Sequence, residues 1–218
     1  MKKTTQKTTK KTIAIILALL LLPTSPLLAA PPFSDVSTDD WFHEYVQYAM
    51  ENNLMRGTSG TTFSPHTQVT KAMAVQVVYN HAGNPETAWQ RVFDDVAEAA
   101  WYSSAVTWAA RLSIIPSGGS FEPDAVISRQ DLVVILHNYA KTADLAFPQE
   151  RENPSFNDDT DIADYARRAV YELYRATIIS GRANGSLDPQ GRLTRAELAT
   201  MLSGFVKNAV PFYELSSS

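Results

Sequence analysis

Three short stretches place a base directly after a hydroxyl residue: Thr70-Lys71-Ala72-Met73, Ser128-Arg129-Gln130-Asp131 and Thr194-Arg195-Ala196-Glu197. Thr194 and Glu197 have the spacing of a capping box, in which each side chain satisfies a free backbone donor at a helix start. Arg195 then falls in the first turn, where the helix dipole is partially positive and a cation is locally unfavourable. A guanidinium beside free amide hydrogens suits a ligand carboxylate. For Thr194 and Glu197 capping alone is a sufficient role; for Arg195 the plain alternative is an ordinary exposed charge. Arg129 keeps the guanidinium with a shorter acidic cap. Lys71 keeps the charge but loses bidentate geometry, and Met73 cannot complete the box. The chemistry these residues suggest is recognition of an anion, by sites of unequal quality.

Bond-making chemistry finds no comparable set. His43-Glu44 begins like a zinc-protease helix, but Gln47 stands where the second histidine belongs. Histidines 43, 66, 81 and 137 have no ligand-like spacing. Asn157, Asp159 and Asp161 resemble a calcium loop, yet Ile162 replaces the glycine and Arg168 the closing glutamate. That acidic run reads as solvated helix-start sequence. No nucleophile elbow or phosphate loop is present. The expectation is a non-enzyme without metal or cofactor.

The elements that carry these residues recur. Phe33-Ser34-Asp35-Val36 returns as Phe93-Asp94-Asp95-Val96 and, more loosely, as Phe156-Asn157-Asp158-Asp159. Trp41 and Trp101 lie eight residues past the first two phenylalanines, and Tyr165 lies nine past the third. An apolar pair precedes each turn: Leu54-Met55, Ile114-Ile115, Ile178-Ile179. Phe63-Ser64-Pro65, Phe121-Glu122-Pro123 and Leu187-Asp188-Pro189 share one shape, and each precedes its hydroxyl-base pair by seven residues. Within a unit the apolar spacing is helical: Trp41, Tyr45, Tyr48 and Ala49, then Ala74, Val77 and Val78 after the hydroxyl. Two short helices cannot bury an apolar face alone, so the three units should pack together. Polar, proline-bearing linkers at 83–91 and 141–155 divide the chain into 31–90, 91–150 and 151–210. A short tail follows at 211–218.

The start of the chain reads as a signal peptide over 1–30. Lys2, Lys3, Lys7, Lys10 and Lys11 precede the apolar run Ile13 to Leu22, and Ala29-Ala30 follows. The run is shorter than the roughly 20 residues of a spanning helix. An uncleaved anchor is the alternative, because Leu27 or Leu28 occupies the position three before the cut. Of 19 basic and 23 acidic side chains, only those five lysines lie in this segment, so the remainder carries a net charge of −9. That balance disfavours nucleic acid and anionic lipid as partners. With no cysteine, a disulfide framework and a lipid-anchored lipoprotein are excluded.

The Phe-x-Asp start, the tryptophan, the glycine turn and the Thr194-Arg195-Ala196-Glu197 helix start together resemble the S-layer homology repeat, over residues 33 to about 207. The resemblance implies an all-α fold, three tandem helix-loop-helix repeats packed as a pseudo-threefold, three-pronged bundle. It also implies a bacterial cell-wall or surface-layer location. Grooves between prongs would bind secondary cell-wall polysaccharide, typically ending in pyruvylated N-acetylmannosamine. The candidate binding residues are Arg195, Arg129, Lys71, Asp35, Asp95, Asp158, Trp41, Trp101, Gly57 and Gly181. Each has a plainer role available. The tryptophans suit packing between repeats better than sugar stacking. The aspartates suit a turn, and so do the glycines. The competing function is an adaptor that docks another surface-layer protein through the same fold, for which Trp41, Phe42 and Pro211-Phe212-Tyr213 are candidate contacts.

Overall fold

The computed structural model describes residues 33–212. The expected signal segment and the end of the tail lie outside the described residues. Six helices carry the fold: α1 His43–Glu51, α2 Lys71–His81, α3 Ser103–Arg111, α4 Arg129–Thr142, α5 Asp164–Arg175 and α6 Arg195–Asn208. The expected all-α class holds, with one small addition. Strand β1 (Leu145–Ala146) pairs antiparallel with β2 (Val210–Pro211), tying the second linker to the residues after α6. Among the described residues no helix is long and apolar enough to cross a membrane.

Each second helix starts as the hydroxyl spacing predicts. Thr70, Ser128 and Thr194 are extended N-caps whose side chains accept from the amides of Met73, Asp131 and Glu197. At Thr194 the full capping box forms, with the Thr194 amide donating to Glu197 Oε2 at 2.9 Å. Each first helix ends in a left-handed residue, Asn53, Ser113 or Thr177, at φ 55, 57 and 59°. This turns the chain into the apolar pair. Both amides of each pair return to one carbonyl: Ala49 for Leu54-Met55, Ala109 for Ile114-Ile115 and Leu173 for Ile178-Ile179.

The units interleave. α3 packs on α2, α5 on α4, and α1 on α6. Every first helix therefore covers the second helix of the preceding unit, and the contact of α1 with α6 closes a ring. The same cyclic order recurs at the centre, through bridges Thr70–Val126, Ser128–Arg192 and Gln68–Thr194. Amides of Lys71 and Ala72 donate to Ala125 and Pro123; those of Arg129 and Gln130 to Gly191 and Pro189; those of Arg195 and Ala196 to Thr67 and Pro65. Three equivalent sets of bonds give the ring its pseudo-threefold character.

The helical period is present in α1, but its phase differs from the expected stripe. Phe42, Val46 and Ala49 are the buried face, while Trp41 faces solvent. Trp41 precedes the helix, so it does not share the face set by the helical spacing. The common core joins Val46 and Phe63 to Leu136, Leu173, Leu198 and Phe205.

Candidate functional site

The repeated aspartates build the turns that border each site. Asp35 accepts from the amides of Phe63 and Ser64 at 2.8 and 2.7 Å. Asp95 accepts from Phe121 and Glu122, both at 2.7 Å, and from the Ser120 hydroxyl at 2.6 Å. Asp158 accepts from Leu187 and Asp188, both at 2.8 Å. The middle turn residues Ser64, Glu122 and Asp188 sit at φ 59, 56 and 60°, a left-handed conformation unusual for residues other than glycine. A carboxylate that takes two successive amides holds that turn in place. Desolvation raises the Asp95 pKa, but the Ser120 hydroxyl and the two turn amides outweigh it and bring it to about 2. At Asp35 desolvation likewise raises the pKa, and the same kind of amide pair, with the Arg195 charge, turns the net shift downward.

Arg195 is only 7% exposed. Its Nε donates to the Phe63 carbonyl at 2.9 Å and its Nη2 to the Arg56 carbonyl at 2.6 Å. The guanidinium lies over the Phe63 ring, 4.5 Å from its centroid. The free amides expected beside it are already engaged, because those of Arg195 and Ala196 bond the first unit and that of Glu197 bonds Thr194. Among the described residues no carboxylate lies within ion-pair distance of Arg195. Burial lowers its pKa and the more distant Asp35 opposes that; a guanidinium stays charged through such shifts. Arg129 is equally buried, donates from Nη2 to the Ser180 carbonyl at 2.7 Å, and has a buried Nε without a hydrogen-bond partner. Lys71 instead pairs with Glu122 at 2.7 Å.

The aromatic positions depart from the expected packing role. Trp41, Trp101 and Tyr165 are 62, 63 and 62% exposed. Each tryptophan rests edge-on against the ring that follows it, Phe42 or Tyr102, and leaves the rest of its surface to solvent. Tyr165 is tethered: its hydroxyl donates to Asp131 at 2.6 Å and accepts from Gln130 at 3.0 Å. Burial and the Asp131 carboxylate push its pKa to about 12.

These residues come together in grooves drawn from all three units. The first has a volume of about 860 Å³ and is lined by Arg56, Gly57, Met73, Gln76, Trp101 and Arg195 among others. Gly57 is required there, because a Cβ would lie 2.5 Å from both a Phe33 ring carbon and the Ser59 carbonyl. The second groove, one unit further on, has about 810 Å³ and is lined by Lys71, Ser117, Asp131, Val134 and Tyr165 among others. At the matching place in the third unit, Arg182 pairs with both Glu197 and Asp188, the latter at 3.0 Å. Gly181 there is less confined than Gly57, its added Cβ meeting the Ser186 carbonyl at 3.1 Å. Gln76, Ser64, Glu122 and Arg182 escaped the sequence reading. For Ser64 and Glu122 the one signal was the change from Ser to Glu to Asp between Phe or Leu and Pro; Gln76 and Arg182 carried none.

The order of landmarks, the interleaved ring and the grooves have a counterpart among known proteins. Residues 32–74, 92–133 and 155–199 each match the S-layer homology domain. The chain belongs to the S-layer homology family. Membership places it at the bacterial cell wall or surface layer. It is 26% identical over 191 residues to Exoglucanase XynX of Acetivibrio thermocellus, covering 86% of this chain and 17% of that protein. It is 25% identical over 181 residues to Amylopullulanase of Thermoanaerobacterium thermosulfurigenes, covering 81% and 10%. Surface-layer 125 kDa protein of Lysinibacillus sphaericus is 26% identical over 125 residues, covering 51% and 10%. The chain spans less than a fifth of the length of each of these relatives.

Proposed function

We propose that this S-layer homology chain anchors to the cell wall by binding secondary cell-wall polysaccharide, without catalysis, through a groove that receives an acidic terminal sugar of the pyruvylated amino-sugar type. The observation that carries this is Arg195: a buried guanidinium, unpaired with any described carboxylate, lining a groove whose rim holds the exposed ring of Trp101. Burying a cation without a counter-ion is costly, and an anionic ligand offsets that cost. A flat aromatic face beside it suits the apolar face of a sugar ring. The relatives point the same way. One region is shared by proteins named as an exoglucanase, an amylopullulanase and a surface-layer protein. What they share is better read as attachment than as any one chemistry.

Sedimentation of the purified protein with cell walls tests this. Binding to intact walls, lost on walls stripped of secondary polysaccharide and on walls lacking pyruvyl groups, is the expected result. Equal binding to all three preparations would sink the polysaccharide mechanism and favour bare peptidoglycan or a protein partner.

A further inference from the structure

The three sites share one backbone yet differ in charge at a single recurring place. The residue between Phe (or Leu) and Pro in the left-handed turn is Ser64 in the first unit, Glu122 in the second and Asp188 in the third. Glu122 reaches Lys71 at 2.7 Å. Asp188 reaches Arg182 at 3.0 Å, and Arg182 also holds Glu197. Ser64 is neutral, and its hydroxyl shares a hydrogen bond with that of Thr58 at 2.6 Å. The nearby helix position follows the same trend, with Met73 in the first groove, Asp131 in the second and Glu197 in the third. The first groove is thus left with an unpaired guanidinium and no acidic residue at either position, the second has one ammonium against two carboxylates, and the third sets Glu197 and Asp188 against Arg182 and the buried Arg129.

We propose that this turn residue selects which groove takes an anion: Ser64 leaves Arg195 available, whereas Glu122 holds Lys71 in the second groove and Asp188 sets a carboxylate on Arg182, near Arg129, in the third. The selector rests on the acidic-sugar function proposed above and narrows it to one groove of three. Shape alone does not impose this, since the first two grooves are close in volume. Charge decides, because a carboxylate already bound in a site competes with the ligand's and repels it.

Isothermal titration of the purified protein with a methyl glycoside of pyruvylated N-acetylmannosamine tests the selector. The unaltered protein is expected to bind one equivalent. Ser64→Glu should weaken that binding by about ten-fold or more, while Ser64→Gln, equally long but uncharged, should weaken it less. Glu122 already adopts the same backbone, so a glutamate at 64 is sterically acceptable, and a thermal melt checks that both variants fold. Glu122→Ser with Asp131→Met copies the first groove's charge into the second and should add a second, weaker equivalent through Lys71. Three equal sites in the unaltered protein, full affinity in Ser64→Glu, or a double variant that stays at one equivalent would each overturn the selector while leaving the acidic-sugar function standing. No binding by the unaltered protein would overturn both.

Discussion

Arg195 of the third unit lies over the Phe63 ring of the first, 4.5 Å from its centroid, and donates to the carbonyl of that same residue. One side chain thus closes the ring of units and lines a groove. Replacing it with alanine leaves the Phe63 and Arg56 carbonyls without their donors and should cost about 2–3 kcal/mol in urea unfolding. Arg195→Lys should keep the charge but not the two-carbonyl geometry, giving a smaller loss. Unchanged stability in the alanine variant would show that these bonds are not important to ring closure.

Trp101 separates binding from folding better than Arg195 does. It is 63% exposed, so Trp101→Ala should change stability by no more than about 0.5 kcal/mol. Wall sedimentation should nevertheless fall, because the ring stands at the rim of the Arg195 groove. Trp41→Ala is the paired control. It removes an equally exposed ring from a different unit and should reduce binding less. Equal losses from both would argue against a single dominant groove.

The aspartate clamps make a prediction about acid. Asp95 has a folded-state pKa of about 2, below its ordinary value of 3.8, so folding favours the ionised form. The stability it contributes is present above pH about 4 and is lost as pH falls from there toward about 2. Asp95→Asn should lower stability at neutral pH by about 1 kcal/mol, since an amide cannot accept from both turn amides and the serine as a carboxylate does. It should also flatten the pH dependence within that acid window. Denaturant melts between pH 2 and 7 would show this, and an unchanged acid slope would contradict it.

Much of this was legible in the residues. The recurring Phe, Asp and hydroxyl offsets reported three units, and the Thr194–Glu197 spacing reported a capping box that forms as expected. Helical period identified apolar faces but not their partners, because a period of 3.6 carries no information about which unit supplies the opposing helix. Trp41 and Trp101 were assigned to packing by that period, yet they stand before their helices, where it no longer constrains direction. Nor could sequence show that the first-turn amides at Arg195 are taken by Thr67 and Pro65, far away in the chain. The role of Ser64 was hidden for the same reason: it follows from which cation a neighbouring unit presents to the turn.

Ring closure leads to the last prediction. In a linear repeat array each unit meets only its neighbours, so removing a terminal unit leaves the others folded. Here α1 packs on α6, and Arg195 and Ala196 donate to Thr67 and Pro65 of the first unit. A fragment ending at Ser155 would expose the α1 face and lose those bonds, although it keeps α1 to α4 and their local sequence. It should show low helicity and no cooperative melt, whereas the whole protein should unfold in one transition seen alike by circular dichroism and tryptophan fluorescence. Adding the complementary fragment from Phe156 onward should restore helicity, because the missing partner for α1 is α6 itself. A fragment of two units that melts cooperatively near the temperature of the whole protein would show that closure is dispensable and that the units behave as a linear array.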